Sequence, residues 1–215
     1  MPYTAPYPEP YDKTLDNLPL IVMEHDAPEW FGILLQGFDM PVPKPCTLRE
    51  FLCELVGVCG VYTEKYLQTI FLNGKAIDDL DRAMIVPSSR LALSAAMPGL
   101  VGATMRRGGY YSRMREGISQ SRENTTDSTE EQPFRLQVRL YNAVGRELAG
   151  LFLHQGVFVP SEYLLKFLKS QPPKFFDHLH KVVLNGTPLP VTSSSLDSWQ
   201  LPQGDIALRV TAVQP

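Results

Sequence analysis

The residue types best suited to chemistry in this chain gather between Pro98 and Gly117. Arg106, Arg107, Arg113 and Arg115 concentrate positive charge there. Tyr110 and Tyr111 add flat stacking faces, and Gly99, Gly102, Gly108 and Gly109 loosen the backbone around them. Guanidinium groups grip phosphate and carboxylate through a planar fork of donors, and aromatic rings stack on bases. The combination is therefore a candidate basic and aromatic patch for phosphate or single-stranded nucleic acid. It is short, however, and completes no phosphate-cradling motif, since G-x-x-G alone is weak. The competing reading is a basic connector packed against acidic surface elsewhere. A net charge of -3 provides no general basic footprint, which argues against nucleic acid as the partner.

Other candidate groups are weaker. Asp78, Asp79 and Asp81 lie close together, but a Ca²⁺ loop needs alternating oxygen ligands, a central Gly and a later bidentate Glu, so a solvated acidic loop is expected. His178 and His180 share one face of an extended segment, a metal-compatible spacing with no second pair to complete it. Thr192-Ser193-Ser194-Ser195 reads as a loop and helix cap, because a serine nucleophile needs an adjacent base and oxyanion donors and no G-x-S-x-G elbow is present. Cys46, Cys53 and Cys59 are too few and wrongly spaced for a disulfide framework or a Cys-x-x-Cys site; Cys53 is expected to be a small buried helix residue. No metal, cofactor or catalytic residue is assigned, and a non-enzymatic protein of the reducing cytoplasm is expected. The longest weakly polar stretch, residues 91–105, is too short to span a membrane and holds Pro98-Gly99; no signal peptide is read at the N-terminus.

The elements that must position these residues occur twice. Ile70-Phe71-Leu72-Asn73-Gly74 and Val182-Val183-Leu184-Asn185-Gly186 are each a short strand running into a tight turn, because Asn and Gly tolerate positive φ. Upstream of the first, Thr47 and Glu50 make a capping box for a helix that buries Leu48, Phe51, Leu52 and Leu55. Upstream of the second, Ser161 is an N-cap for a helix whose Leu164, Phe167 and Leu168 share a face. Before those helices, apolar runs close on Leu34-Leu35-Gln36-Gly37 and Leu153-His154-Gln155-Gly156, read here as second strands. The first strands are Leu20–Met23 and Phe134–Leu140, the latter alternating apolar and polar. Arg90–Ser94 and Asp205–Val210 close the two sets. Pro41, Pro43 and Pro45 make the approach to the first helix irregular, because proline costs a ladder donor. Residues 119–133 have almost nothing to bury and read as a disordered linker, so that cutting there should leave two folded pieces. The Pro/Tyr-rich residues 1–17 suit either a groove ligand or an arm docked on its own domain.

Strand, strand, helix, strand, loop, strand resembles the β-grasp, or ubiquitin-like, fold. The first half resembles the small sulfur-carrier members through Leu72-Asn73-Gly74-Lys75 with its acidic loop, Leu91-Ala92-Leu93 and Pro98-Gly99; Arg106-Arg107-Gly108-Gly109 resembles the Arg-Gly-Gly tail of ubiquitin. The resemblance implies an α+β fold of two β-grasp domains, each a mixed sheet covered by one main helix. The arm then occupies residues 1–17, the first domain 18–109, a basic then polar linker 110–133, and the second domain 134–215. It also implies a carrier tail at Gly108 and Gly109, whose carboxylate an activating enzyme adenylates. Gly109 is followed by Tyr110 and the second half ends without Gly-Gly, so that chemistry requires processing after Gly109. The expected function is a tandem ubiquitin-like module that binds a protein partner, with a processed carrier precursor as the alternative and an RNA or phosphate binder behind it.

Overall fold

The structure, a computed structural model, describes residues 18–25, 30–118 and 132–211. The arm of residues 1–17 and residues 119–131 of the expected linker lie outside the described residues. The first half contributes β1 (Leu20–His25), α1 (Phe31–Leu34), β2 (Phe38–Val42), β3 (Cys46–Thr47) and α2 (Leu48–Glu50), which continues into a π-helical turn over Phe51–Leu55. It goes on through α3 (Gly60–Lys65), β4 (Thr69–Leu72), β5 (Lys75–Ala76), β6 (Met84–Ile85), β7 (Arg90–Ser94), α4 (Gly99–Met105) and a kinked 3-10 segment, Tyr110–Ile118. The second half contributes β8 (Phe134–Leu140), α5 (Asn142–Gln155), β9 (Val157–Pro160), α6 (Ser161–Lys169), α7 (Pro173–Asp177), β10 (Leu179–Leu184), β11 (Thr187–Pro188), a 3-10 turn (Ser193–Ser198) and β12 (Asp205–Thr211).

Most local signals act as the residues require; the exception is Ser161, which is the first residue of α6 rather than its N-cap, a place taken by Pro160 with no side-chain capping bond. In the turn between β4 and β5, φ is +53° at Asn73 and +78° at Gly74; between β10 and β11 it is +48° at Asn185 and +83° at Gly186. Two successive left-handed residues make the type I′ turn that follows the twist of a hairpin. Thr47 Oγ1 accepts from the Glu50 N–H at 3.2 Å while the Glu50 carboxylate accepts from the Thr47 N–H at 2.7 Å, closing the capping box. Leu48, Phe51 and Leu52 are fully buried, as are Leu164 and Leu168 on α6.

The pairing of strands departs from two self-contained halves. Ten strands form one mixed α+β sheet in the order β11-β10-β1-β12-β9-β2-β8-β7-β4-β5, and β3 pairs separately with β6. β1 runs parallel to β12 and antiparallel to β10, so the first strand of the first half lies among strands of the second. β8 runs parallel to β7 and antiparallel to β2, so the first strand of the second half lies among strands of the first. Each half donates its opening strand to the other, and both central parallel pairs take one strand from each half. The two asparagine turns register this exchange: Asn73 Oδ1 accepts from the Arg90 N–H at the start of β7, whereas Asn185 Oδ1 accepts from the Leu20 N–H at the start of β1, both at 2.8 Å.

Two expected elements differ. The runs ending in Gln-Gly are helices, α1 and α5, and the strands begin after the glycine. Gly37 and Gly156 have φ of +92° and +100°; a left-handed residue stops a helix and redirects the chain into β2 and β9. Pro41 also sits within a strand, opposite Arg135 of β8. The ladder between β2 and β9 reaches only Asp39 and Phe158, so the other edge of β2 at Pro41 has no partner strand to receive a donor.

One hydrophobic cluster runs through both halves. α5 packs against both β7 and β12 and against α1. Gly145 allows that last contact, because a Cβ there would stand 2.2 Å from Cε2 of Phe31. Gly145→Ala ordinarily gains about 1 kcal/mol of helix propensity. Here overpacking against the ring costs about 1–3 kcal/mol, and a net fall in stability is expected. Thermal denaturation checks this; a raised melting temperature for the alanine variant shows that α1 is not pressed against α5.

Candidate functional site

The basic segment divides into structural and exposed residues. Arg115, with 1% of its side chain exposed, donates from Nε to the Thr104 carbonyl and from Nη2 to Asp78 Oδ1, both at 2.7 Å. Arg107 is also turned inward: Nη2 donates to the Thr63 carbonyl at 3.0 Å and to Glu64 Oε2 at 2.8 Å. Arg107 and Arg115 of the expected patch are therefore held inside by the protein's own acceptors rather than presented to a ligand. The Gly108 N–H donates to Asp78 Oδ1 at 3.0 Å and the Gly109 N–H to the Arg106 carbonyl at 3.1 Å, so the glycine pair is a turn fastened to the acidic loop. Asp81 pairs with Arg49 at 2.6 Å and Asp79 with Arg82 at 3.3 Å. Arg106 stays exposed, and Tyr110 is 90% exposed, its ring edge-on to Tyr111 at 5.2 Å rather than docked on a domain. Arg113 lies on the same 3-10 segment; its side chain is outside the described residues.

Beside this segment the sheet presents an open groove of about 980 Å³ on its outer face. Alternation along the strands creates it. Ile70, Leu72, Leu91, Leu93, Leu136, Val138 and Leu140 point into the core. Phe71, Arg90, Ala92, Gln137 and Arg139 point out and line the groove, and Met97, Pro98 and Tyr141 wall it. Register sets Ala92 opposite both Phe71 and Arg139, and Arg90 opposite Gln137. Met97 also borders a second depression of about 540 Å³ lined by Arg106, Gly108, Gly109, Tyr110 and Tyr111. The expected patch is thus joined to a surface that reading by motif had missed. Its signal was in the sequence: the alternation of Phe134–Leu140 places Arg135, Gln137 and Arg139 on one side.

Further along that face Arg135 bonds Asp205 at 2.8 Å and stands 4.4 Å over the Phe158 ring. Burial pushes the Asp39 carboxyl up, offset in part by Arg135 and reinforced by Asp205. At the other side of the molecule the Tyr62 hydroxyl donates to Glu147, tying α3 to α5; burial, then this carboxylate, pushes the phenol up.

The remaining candidates stay apart. Thr192 and Ser195 form a capping box for the 3-10 turn. His180 is exposed on β10, and His178 follows α7 with its ring 6.4 Å from that of buried His25. Among the described residues no group of three or more His, Cys, Asp or Glu is placed to hold a metal ion. Cys53 is half-buried rather than buried, and burial pushes the Cys46 thiol up to about 11. No described helix is long and apolar enough to cross a membrane. No family model, curated protein or solved structure matches this chain.

Proposed function

We propose that this chain is a non-enzymatic protein-interaction module made of two ubiquitin-like (β-grasp) units that exchange their opening strands. The sets β2-β8-β7-β4-β5 and β9-β12-β1-β10-β11 support the two-unit reading, each having a central parallel pair flanked by antiparallel strands and an edge hairpin. The observation that carries the interaction reading is the groove: an uncovered sheet face on which apolar Phe71 and Ala92 lie beside Arg90 and Arg139, walled by Met97, Pro98 and Tyr141 and continuous with exposed Tyr110 and Tyr111. Contiguous exposed apolar surface of this kind is what partner sites are made of. Three free cysteines fit a reducing, cytoplasmic setting. The carrier reading has less support, since a tail that threads a partner's active site needs free glycines and both amides of Gly108-Gly109 are bonded.

Tagged protein recovered from its own cells tests the reading. Wild-type chain and Glu162→Lys, a change at an exposed position of α6, should retain the same stoichiometric partner, and Ala92→Glu, which puts a carboxylate in the groove floor, should lose it. Retention by Ala92→Glu sinks the proposed surface. A species ending at Gly109 on intact-mass analysis replaces the reading with the carrier one.

A further inference from the structure

We propose that the groove receives an extended acidic segment of a protein partner, with carboxylates two residues apart on Arg90 and Arg139 and an apolar side chain over Phe71 and Met97. This rests on the interaction reading above and names its ligand chemistry.

Charge complementarity is the first argument. Arg49, Arg82, Arg107, Arg115 and Arg135 each pair with a carboxylate. Arg90 and Arg139 are exposed, line one groove without an acidic residue, and form no ion pair among the described residues. In a chain of net charge -3, two neighbouring guanidinium groups left unmatched present a site for external anions. Asp39 and Asp205, the carboxylates placed further along the same face, are already coupled to Arg135.

Spacing is the second argument. Gln137 opposes Arg90 and Arg139 opposes Ala92, so the two arginines sit diagonally on adjacent parallel strands. Strand geometry puts their Cα atoms roughly 8 Å apart, and same-face side chains of an extended segment recur about every 6.6 Å. Flexible arginine stems close that small difference, and each guanidinium can hold a carboxylate through two hydrogen bonds. Phe71, Ala92 and Met97 leave an apolar floor for a third same-face side chain. A nucleic acid strand needs a basic track along its backbone; two cations over an apolar floor fit a peptide better.

The test uses the full chain and a fluorescein-labelled peptide Gly-Asp-Ser-Asp-Ser-Phe-Gly, its two Asp and its Phe on one face when extended. Anisotropy should show saturable binding that weakens about tenfold or more with Asn in place of both Asp, and similarly with Arg90→Gln or Arg139→Gln. The double variant should bind least, and Phe71 and Ala92 amides should shift on titration. Both arginines are exposed, and a thermal melt verifies that the variants fold. Absent or unsaturable binding, equal binding of the Asn peptide, an unaffected double variant, or tighter binding of dodecathymidine each overturns the proposal. If the proposal fails while Ala92→Glu still loses the cellular partner, only the acidic chemistry is wrong; if Ala92→Glu also retains it, the interaction reading falls with it.

Discussion

Residues 18–118 produced alone are expected not to fold, residues 132–215 alone are expected to fare no better, and mixing the two is expected to restore the native sheet. Removing β8 strips a strand that is hydrogen-bonded to β2 on one side and β7 on the other. Its inward residues Leu136, Val138 and Leu140 are at most 3% exposed. Each such side chain contributes about 1.5–3 kcal/mol by burial. Three together approach the roughly 5–15 kcal/mol that separates a typical domain from its unfolded state. The loss of β1 removes fully buried Ile21 and Met23 from the other half in the same way. Circular dichroism and amide dispersion of each piece, then of the mixture, decide the matter. A protease cut within residues 119–131 should leave fragments that co-elute at the size of the intact chain. Cooperative unfolding of residues 18–118 by themselves defeats the idea that exchanged strands hold the molecule together.

Phe51→Ala should lower stability by about 3–5 kcal/mol, the usual cost of emptying a buried aromatic site. Phe51 is fully buried and lies 6.5 Å from Phe152, a residue of α5 in the other half. The effect should therefore reach both units. Trp30 and Trp199 are buried at 3% and 6% exposure; Trp30 packs on Phe167 and Phe175, and Trp199 ends the 3-10 turn that packs on α6, so both tryptophans report on the second half of the chain. Denaturant unfolding followed by tryptophan fluorescence should move to a lower midpoint in the variant with its slope unchanged. A tryptophan transition that stays where it was, with a separate loss seen by circular dichroism, means that the units melt independently.

What the chain order states well is whatever a few neighbouring residues decide among themselves. Thr47 and Glu50 close their capping box through bonds three residues apart, and Asn73-Gly74 and Asn185-Gly186 adopt positive φ because those residue types tolerate it. The apolar faces of α2 and α6 and the α+β class follow from the same local rules. The run before Gly37 is too short to show a period, whereas Val144, Leu148, Leu151, Phe152 and Gln155 of α5 do recur at helical spacing, a signal that residues 153–156 do not carry by themselves. Arg107 and Arg115 look alike with Arg106 in sequence, and only the placement of Glu64, Asp78 and Thr104 draws two of them inward. The exchange of β1 and β8 was beyond local reading for a related reason. Both strands alternate buried and partly exposed residues, and either pattern satisfies either parallel partner. Which one each joins is decided by α5 and the single core spanning both halves, that is, by burial summed over residues far apart in the chain. The groove, built on β8 beside β7, exists only because that choice was made.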